Sequence, residues 1–93
     1  MQVLGEAAVT KFLARHAAAR RPLARFLEIA RAAEWPRFPA IKQSFPAADY
    51  APASRTIVFD IGGNKFRLAA IVNFEKGILS IEKILTHGAA ILT

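Results

Sequence analysis

The sequence predicts an α+β fold in which a three-to-four-stranded antiparallel sheet packs on two N-terminal helices. Two observations predict it. The first third of the chain repeats apolar residues at the three- and four-residue spacing of amphipathic helices, and the last third alternates apolar and polar residues with the two-residue period of strands. Between the alternating runs stand Gly62-Gly63-Asn64 and later Gly77, residue types that accept the positive φ angles of tight hairpin turns.

The N-terminal part predicts one short strand and two helices. Val3-Leu4 is predicted to be the strand, and a helical apolar face follows it. That face consists of Val9, Phe12, Leu13 and His16. Residues 17–19 are expected to extend the first helix, and Pro22 is expected to begin the second, because the first N–H groups of a helix have no partner within it. The second helix is expected to run to about Ala33.

Prolines are expected to end the helical part. Trp35 precedes Pro36, and a residue before proline is pushed out of the helical region. Residues 39–44 are expected to add one helical turn, and residues 45–54, rich in turn formers, are expected to be a loop. Trp35 and His16 are interpreted as structural residues.

The predicted sheet has one apolar face and one mixed face. In the central strand, Phe66, Leu68, Ala70 and Val72 share one parity and are expected to pack on the helices. Lys65 and Arg67 have the other parity, so they are expected to face a partner. The last strand, residues 78–85, is largely apolar on both parities, and its facing stays open.

Composition indicates a folded basic protein. The 93 residues make one domain, 1–93, and a net charge of +6 accompanies a hydrophobic content of 54%. RNA, DNA, an acidic protein and an anionic membrane would all suit this charge. The absence of cysteine excludes disulfides and thiolate sites, and two distant histidines predict no metal site and no cofactor. No apolar run reaches the roughly 18–20 residues of a membrane span, and no signal-peptide order opens the chain, so we expect a cytoplasmic protein.

Several motifs together resemble the HigB family of bacterial toxins, within the wider RelE-like superfamily. They are Ala33-Glu34-Trp35, the segment Ile41–Asp49, the phrase I-G-G-N-K-F-R-L at 61–68, and Thr86-His87. Family members are ribosome-dependent messenger-RNA endonucleases, each neutralised by a cognate antitoxin. The resemblance therefore implies a RelE-like fold and a metal-independent mRNA interferase. It also implies a HigA-like helix-turn-helix antitoxin, through which alone the protein would reach operator DNA, and no membrane partner.

The resemblance also implies the site residues. Cleaving RNA without metal requires a base for the 2′-OH, an acid for the departing 5′ oxygen, and positive charge for the phosphate. Lys65 and Arg67 are expected to hold the phosphate, and His87 to be the acid or base, because an imidazole ordinarily titrates near pH 6.5. The residues expected to bind RNA are Lys42, Arg55, Asn64, Lys83 and Thr86.

Two departures from the family pattern leave a second hypothesis. Many relatives carry arginine where Glu82 stands, and an acidic residue, tyrosine and aspartate near Gly88-Ala89-Ala90. The alternative is a catalytically silent toxin-like protein that binds an antitoxin and contributes to operator repression. A DNA-binding domain is a third, weaker hypothesis, because Arg25 and Arg31 are expected to pair with Glu28 and not to cluster for groove recognition.

Overall fold

The apolar period of the N-terminal part produces helices, and the alternation of the C-terminal part produces strands. The structure is a computed structural model that describes residues 1–86. Its elements in chain order are β1 (Gln2–Leu4), α1 (Ala7–Arg15), a 3₁₀ turn (Ala17–Ala19), α2 (Arg20–Ala32), α3 (Phe38–Ser44), β2 (Asp49–Ala51), β3 (Thr56–Ile61), β4 (Phe66–Asn73) and β5 (Ile78–Thr86). The predicted α+β class, with N-terminal helices packed on a sheet, is confirmed.

The sheet has five strands in the order β1-β5-β4-β3-β2. Strands β3 to β5 form the predicted antiparallel meander, and β2 adds antiparallel to β3. Strand β1 lies parallel to β5, so the sheet is mixed. The strand count exceeds the prediction because β2 lies in the segment predicted to be a loop. Its three residues, Asp49–Ala51, lack a clear alternating pattern, and they pair with the edge of β3.

The break between the first two helices differs from the prediction. Helix α1 ends at Arg15, and His16 leaves the helical region with φ −134° and ψ 69°. Its imidazole stacks on Phe12, with ring centroids 4.4 Å apart, so the ring stays against the helical layer. Helix α2 begins at Arg20, two residues before Pro22, which still falls in the first turn where its missing N–H costs nothing.

The core lies between the helices and one face of the sheet. Leu68 and Ala70 are fully buried and Phe66 nearly so, which confirms the predicted facing of β4. From the helices, Phe12 meets Phe66 edge-on at 5.5 Å, and Phe26 meets Phe59 at 4.9 Å. Beyond α2, Trp35 is buried as expected, and its Nε1 donates to Ser44 Oγ at 3.2 Å.

A β-bulge decides the facing of β5. Ala70 pairs with Ile81, and the residue before it in β4, Ala69, pairs with Lys83. Glu82 is therefore an extra residue of β5 in this ladder. Before the bulge Ile81 faces the core, and after it Ile84 does. The bulge explains why β5 is apolar on both parities in sequence, since the inward parity changes along the strand.

Candidate functional site

Arg67 lies on the open face of the sheet, which we define as the face turned away from the helices. Its neighbours Phe66 and Leu68 point into the core, so alternation along β4 turns the guanidinium outward. Asp60 of β3 is its cross-strand partner, and Arg67 Nε lies 3.6 Å from Asp60 Oδ1. That distance makes an ion pair without a hydrogen bond. The Arg67 Nε is buried and has no hydrogen-bond partner within the described residues. The Arg67 side chain as a whole is 37% exposed, so a ligand would meet the guanidinium at its outer N–H groups and not at Nε.

A pocket of about 160 Å³ adjoins this pair on the open face. Its lining residues are Ala47, Asp49, Tyr50, Ala51, Val58, Asp60 and Arg67. The volume is below the roughly 300–1,000 Å³ of small-molecule sites, so the pocket suits a small polar group better than a whole nucleotide. Sequence reasoning missed Asp49 and Asp60 as members of the site, because only the strand register places them beside Arg67.

The turn between β3 and β4 presents two further predicted residues. Gly62 and Gly63 have φ angles of 65° and 74°, the left-handed values that the sequence pattern required. Asn64 and Lys65 are both exposed at this turn. Thr86 pairs with Phe66 at the end of β5, so it lies at the same end of the sheet. Asn64 and Lys65 therefore lie at the end of the sheet near Arg67, whereas Thr86, the cross-strand partner of the core residue Phe66, shares the helix-facing side.

Other predicted residues lie outside the described part of the chain or farther from Arg67. His87 and Gly88-Ala89-Ala90 lie outside residues 1–86. Lys83 also lies on the open face. It pairs with Ala69, which is two residues from Arg67 on the same face of β4, so Lys83 is a diagonal cross-strand neighbour of Arg67. Arg55 precedes β3, about 17 Å from Asp60 along the strand. Lys42 is exposed on α3, whose Ile41 is buried in the core, so it belongs to the helical layer.

Glu82 does not line the Arg67 pocket. It lines a separate surface groove of about 540 Å³, between α1 and β5. The cationic residues of that groove are Lys11, Arg15 and Lys83. The bulge therefore places Glu82 in the groove that Lys11 and Arg15 of α1 also line, and not in the pocket beside Arg67.

Residues 1–86 contain no group of three or more His, Cys, Asp or Glu side chains placed to hold a metal ion. Within the same residues, no helix has the length and apolar character needed to cross a membrane.

Comparison with known protein families identifies the chain. The sequence profile of the HigB toxin family, described as the RelE-like toxic component of a toxin-antitoxin system, matches residues 19–89. The match covers about three quarters of the 93 residues and includes the β3–β4 turn and Arg67. A comparison with functionally curated proteins found no match. The chain therefore belongs to the HigB toxin family: it is the toxin of a toxin-antitoxin system, and its partner is an antitoxin.

Proposed function

We propose that this HigB-family toxin is a metal-independent endoribonuclease that cuts messenger RNA on the ribosome. One observation carries the proposal. Arg67, whose side chain is 37% exposed, lies on the open sheet face at the same end as the exposed Lys65, so two cations can meet one phosphate. A phosphate oxygen is the acceptor that a guanidinium N–H binds best.

The proposed reaction needs only groups of the RNA and of this chain. A base takes the proton of a 2′-OH, the 2′ oxygen attacks the neighbouring phosphorus, and the bond to the 5′ oxygen breaks. An acid protonates that 5′ oxygen, leaving a 2′,3′-cyclic phosphate and a free 5′-OH. Arg67 and Lys65 would stabilise the extra negative charge at phosphorus, a contribution that is often the largest in such catalysis. His87, next to Thr86, is proposed as the acid or the base.

Asp60 would orient Arg67 without occupying its donors. At 3.6 Å the carboxylate attracts the guanidinium, but it forms no hydrogen bond with Nε. An arginine held in this way loses less side-chain entropy when it meets a phosphate. Asp60 is therefore proposed as a positioning residue.

The remaining predicted residues would hold the RNA chain around the cut. Lys83 continues the open face beside Arg67, and Asn64 and Thr86 border the same end of the sheet. Arg55 and Lys42 are too far to touch the same phosphate, so they are proposed to contact RNA away from the scissile bond.

The partner is proposed to be a HigA-like, helix-turn-helix antitoxin, encoded beside the toxin and active with it in the cytoplasm. Operator DNA would be bound only through that antitoxin. Since the toxin is basic, the antitoxin's contacting residues are expected to include Asp or Glu.

A catalytically silent toxin-like protein is the second candidate function. One observation favours it: Arg67 already shares its charge with Asp60. The family resemblance adds that many members carry arginine where this chain has Glu82. In this case the chain would bind its antitoxin and contribute to operator repression without cutting RNA.

Purified protein added to translating ribosomes, with message ends mapped, separates the two functions. The endoribonuclease is expected to produce new message ends and to arrest growth when expressed, and Lys76→Ala, a change at an exposed cation remote from Arg67, is expected to do the same. Normal growth with no new ends would support the silent protein. Glu82→Arg combined with Ala89→Tyr should then gain cleavage.

A further inference from the structure

Exposed apolar side chains are concentrated in one groove. Within residues 1–86, the large apolar side chains that are exposed are Leu4, Tyr50 and Ile71. Two of these three, Tyr50 and Ile71, line the same groove of about 500 Å³. Its apolar lining consists of Phe38, Tyr50, Ile57, Ile71, Val72 and Phe74. Large apolar groups gathered at a protein surface usually mark a place where a partner binds, so this groove is a candidate interaction surface.

The groove follows the edge of β4 beyond the point where β3 covers it. Within residues 1–86, the pairing of β3 with β4 ends at Ile57 and Ala70, whereas β4 continues beside β5 as far as Asn73. Ile71 and Val72 are neighbours in β4, so their side chains point to opposite faces of the sheet. Both of them line the groove. A groove that is lined from both faces crosses the edge of the strand between them.

The backbone along this edge has room for one more strand. Residues 71–73 pair with β5 on one side, and in the described part of the chain no residue of β3 pairs with them on the other. In an antiparallel pair, every second residue points its N–H and C=O away from the neighbouring strand. Such outward groups pair readily with an extended segment of another chain. The groove therefore offers backbone hydrogen bonds as well as apolar contacts.

The charge at the groove is positive. Arg55 is the charged residue of its lining, and Arg37, next to the lining residue Phe38, is also exposed. Neither arginine has an ion-pair partner within residues 1–86. Asp49 and Glu75 are next to lining residues in the sequence, but they line other pockets. The groove therefore suits an apolar segment that also carries Asp or Glu.

We propose that an extended segment of the antitoxin, bearing apolar residues and Asp or Glu, docks in this groove and pairs with the edge of β4 at residues 71–73. Alternate side chains of the segment fill the apolar lining, and a carboxylate meets Arg55. The docking rests on the proposed antitoxin, encoded beside the toxin, and is independent of RNA cleavage.

Two observations favour the antitoxin over RNA and over a second copy of the toxin. Aromatic and aliphatic anchors of this kind form the centres of protein interfaces, whereas contacts to nucleic acid go mostly to phosphate and sugar. A second copy would bring another chain of net charge +6 against Arg55 and Arg37, and like charges across an interface repel. An acidic antitoxin segment is attracted by the same two arginines.

The test compares two variants that lose the same kind of side chain. Ile71→Gln changes a groove residue that is 42% exposed, and Leu4→Gln changes a residue outside the groove that is 44% exposed. The probe is the full-length protein encoded by the adjoining reading frame, and its affinity is measured by calorimetry. Ile71→Gln should weaken binding by about 5- to 30-fold, the usual effect of losing an apolar anchor, and Leu4→Gln by less than about 3-fold. Urea unfolding checks that both variants are folded.

Two further measurements test the charge and the strand pairing. Ile71→Glu should bind the antitoxin more weakly than Ile71→Lys, because the docked segment is acidic. In the native toxin, bound antitoxin should slow hydrogen exchange of an amide within residues 71–73 by about 10-fold or more, since that amide gains a hydrogen bond. This second measurement requires no variant.

Several outcomes would overturn the inference. They are equal losses in Ile71→Gln and Leu4→Gln, equal affinities of the Glu and Lys variants, no added protection at residues 71–73, and an adjoining protein that does not bind the native toxin. A loss confined to RNA binding or to a toxin dimer would assign the groove to those partners instead. Failure of the proposed activity looks different: the native chain would cut no message, yet Ile71→Gln would still weaken antitoxin binding.

Discussion

The outer surface of α1 and α2 and the open sheet face differ in how their charges are arranged. On the helices, five exposed cations have no ion-pair partner in residues 1–86: Lys11, Arg15, Arg20, Arg21 and Arg25. On the open face, Arg67 is half-buried and forms an ion pair with Asp60. A high density of exposed cations suits docking on a polyanion, whereas chemistry depends on a few fixed donors in a partly dry position. The net charge of a protein therefore does not locate its site of chemistry.

Replacing His87 or Arg67 should have the largest effect, a loss of the rate of message cleavage. His87→Ala or Arg67→Ala is expected to lower the rate of message cleavage by about 10²–10⁴-fold, the usual contribution of an acid–base group or a preorganised donor. Ribosome affinity should fall less than the rate, since the exposed cations of α1 and α2 are unchanged. Single-turnover cleavage at saturating ribosomes measures the rate separately from binding. Equal losses of rate and affinity would mean that the two regions are not separate.

The two faces of β4 should differ in their contribution to stability. Leu68→Ala removes a fully buried side chain beneath the helices and is expected to lower the free energy of unfolding by about 2–5 kcal/mol. Ile71→Ala, on the open face where the residue is 42% exposed, should cost less than about 1.5 kcal/mol. Urea unfolding of both variants measures the difference. Similar losses would contradict the assignment of the helices to one face only.

Gly5 joins the sheet to the helical layer, and it can be compared with Gly63 on the β3–β4 turn. Both have positive φ, 84° and 74°. A methyl group at Gly5 would lie 2.6 Å from the carbonyl oxygen of Ile81, while one at Gly63 would meet nothing within 4 Å. Gly63→Ala should cost about 1 kcal/mol for its left-handed backbone, and Gly5→Ala about 2–3 kcal/mol. Thermal and urea unfolding measure both losses of stability. A larger loss for Gly63→Ala than for Gly5→Ala would contradict the close contact at Gly5.

Asp60→Asn should give the smallest change in stability. An ion pair this exposed contributes at most about 1 kcal/mol to folding. The change also removes a negative charge from the open face, so binding to the RNA duplex is expected to tighten at low salt. Glu34→Gln, at an exposed residue outside the site, is the control. If both variants tighten binding equally, only net charge matters, and Asp60 does not act through Arg67.

Local patterns in the sequence were sufficient for much of this fold. The helical spacing around Val9 and Leu23, the alternation of β4 and the Gly62-Gly63-Asn64 turn depend on interactions between residues close in the chain. The family could also be predicted, because its motifs are short phrases in a characteristic order. The basic residues of the site were visible in the same phrases, and their roles stay predictions.

Only the tertiary structure decided which distant residues meet. It paired β1 parallel to β5, added β2 at the edge of β3, and set Asp60 opposite Arg67. It also placed the bulge at Glu82, which fixes the facing of β5 and puts Glu82 in the groove between α1 and β5. It paired Arg31 with Glu6 and left Arg25 without an ion-pair partner in residues 1–86, where sequence spacing suggested Glu28 for both. Strand register, edge pairing and ion pairing are properties of two segments packed together, so neither segment's own sequence determines them.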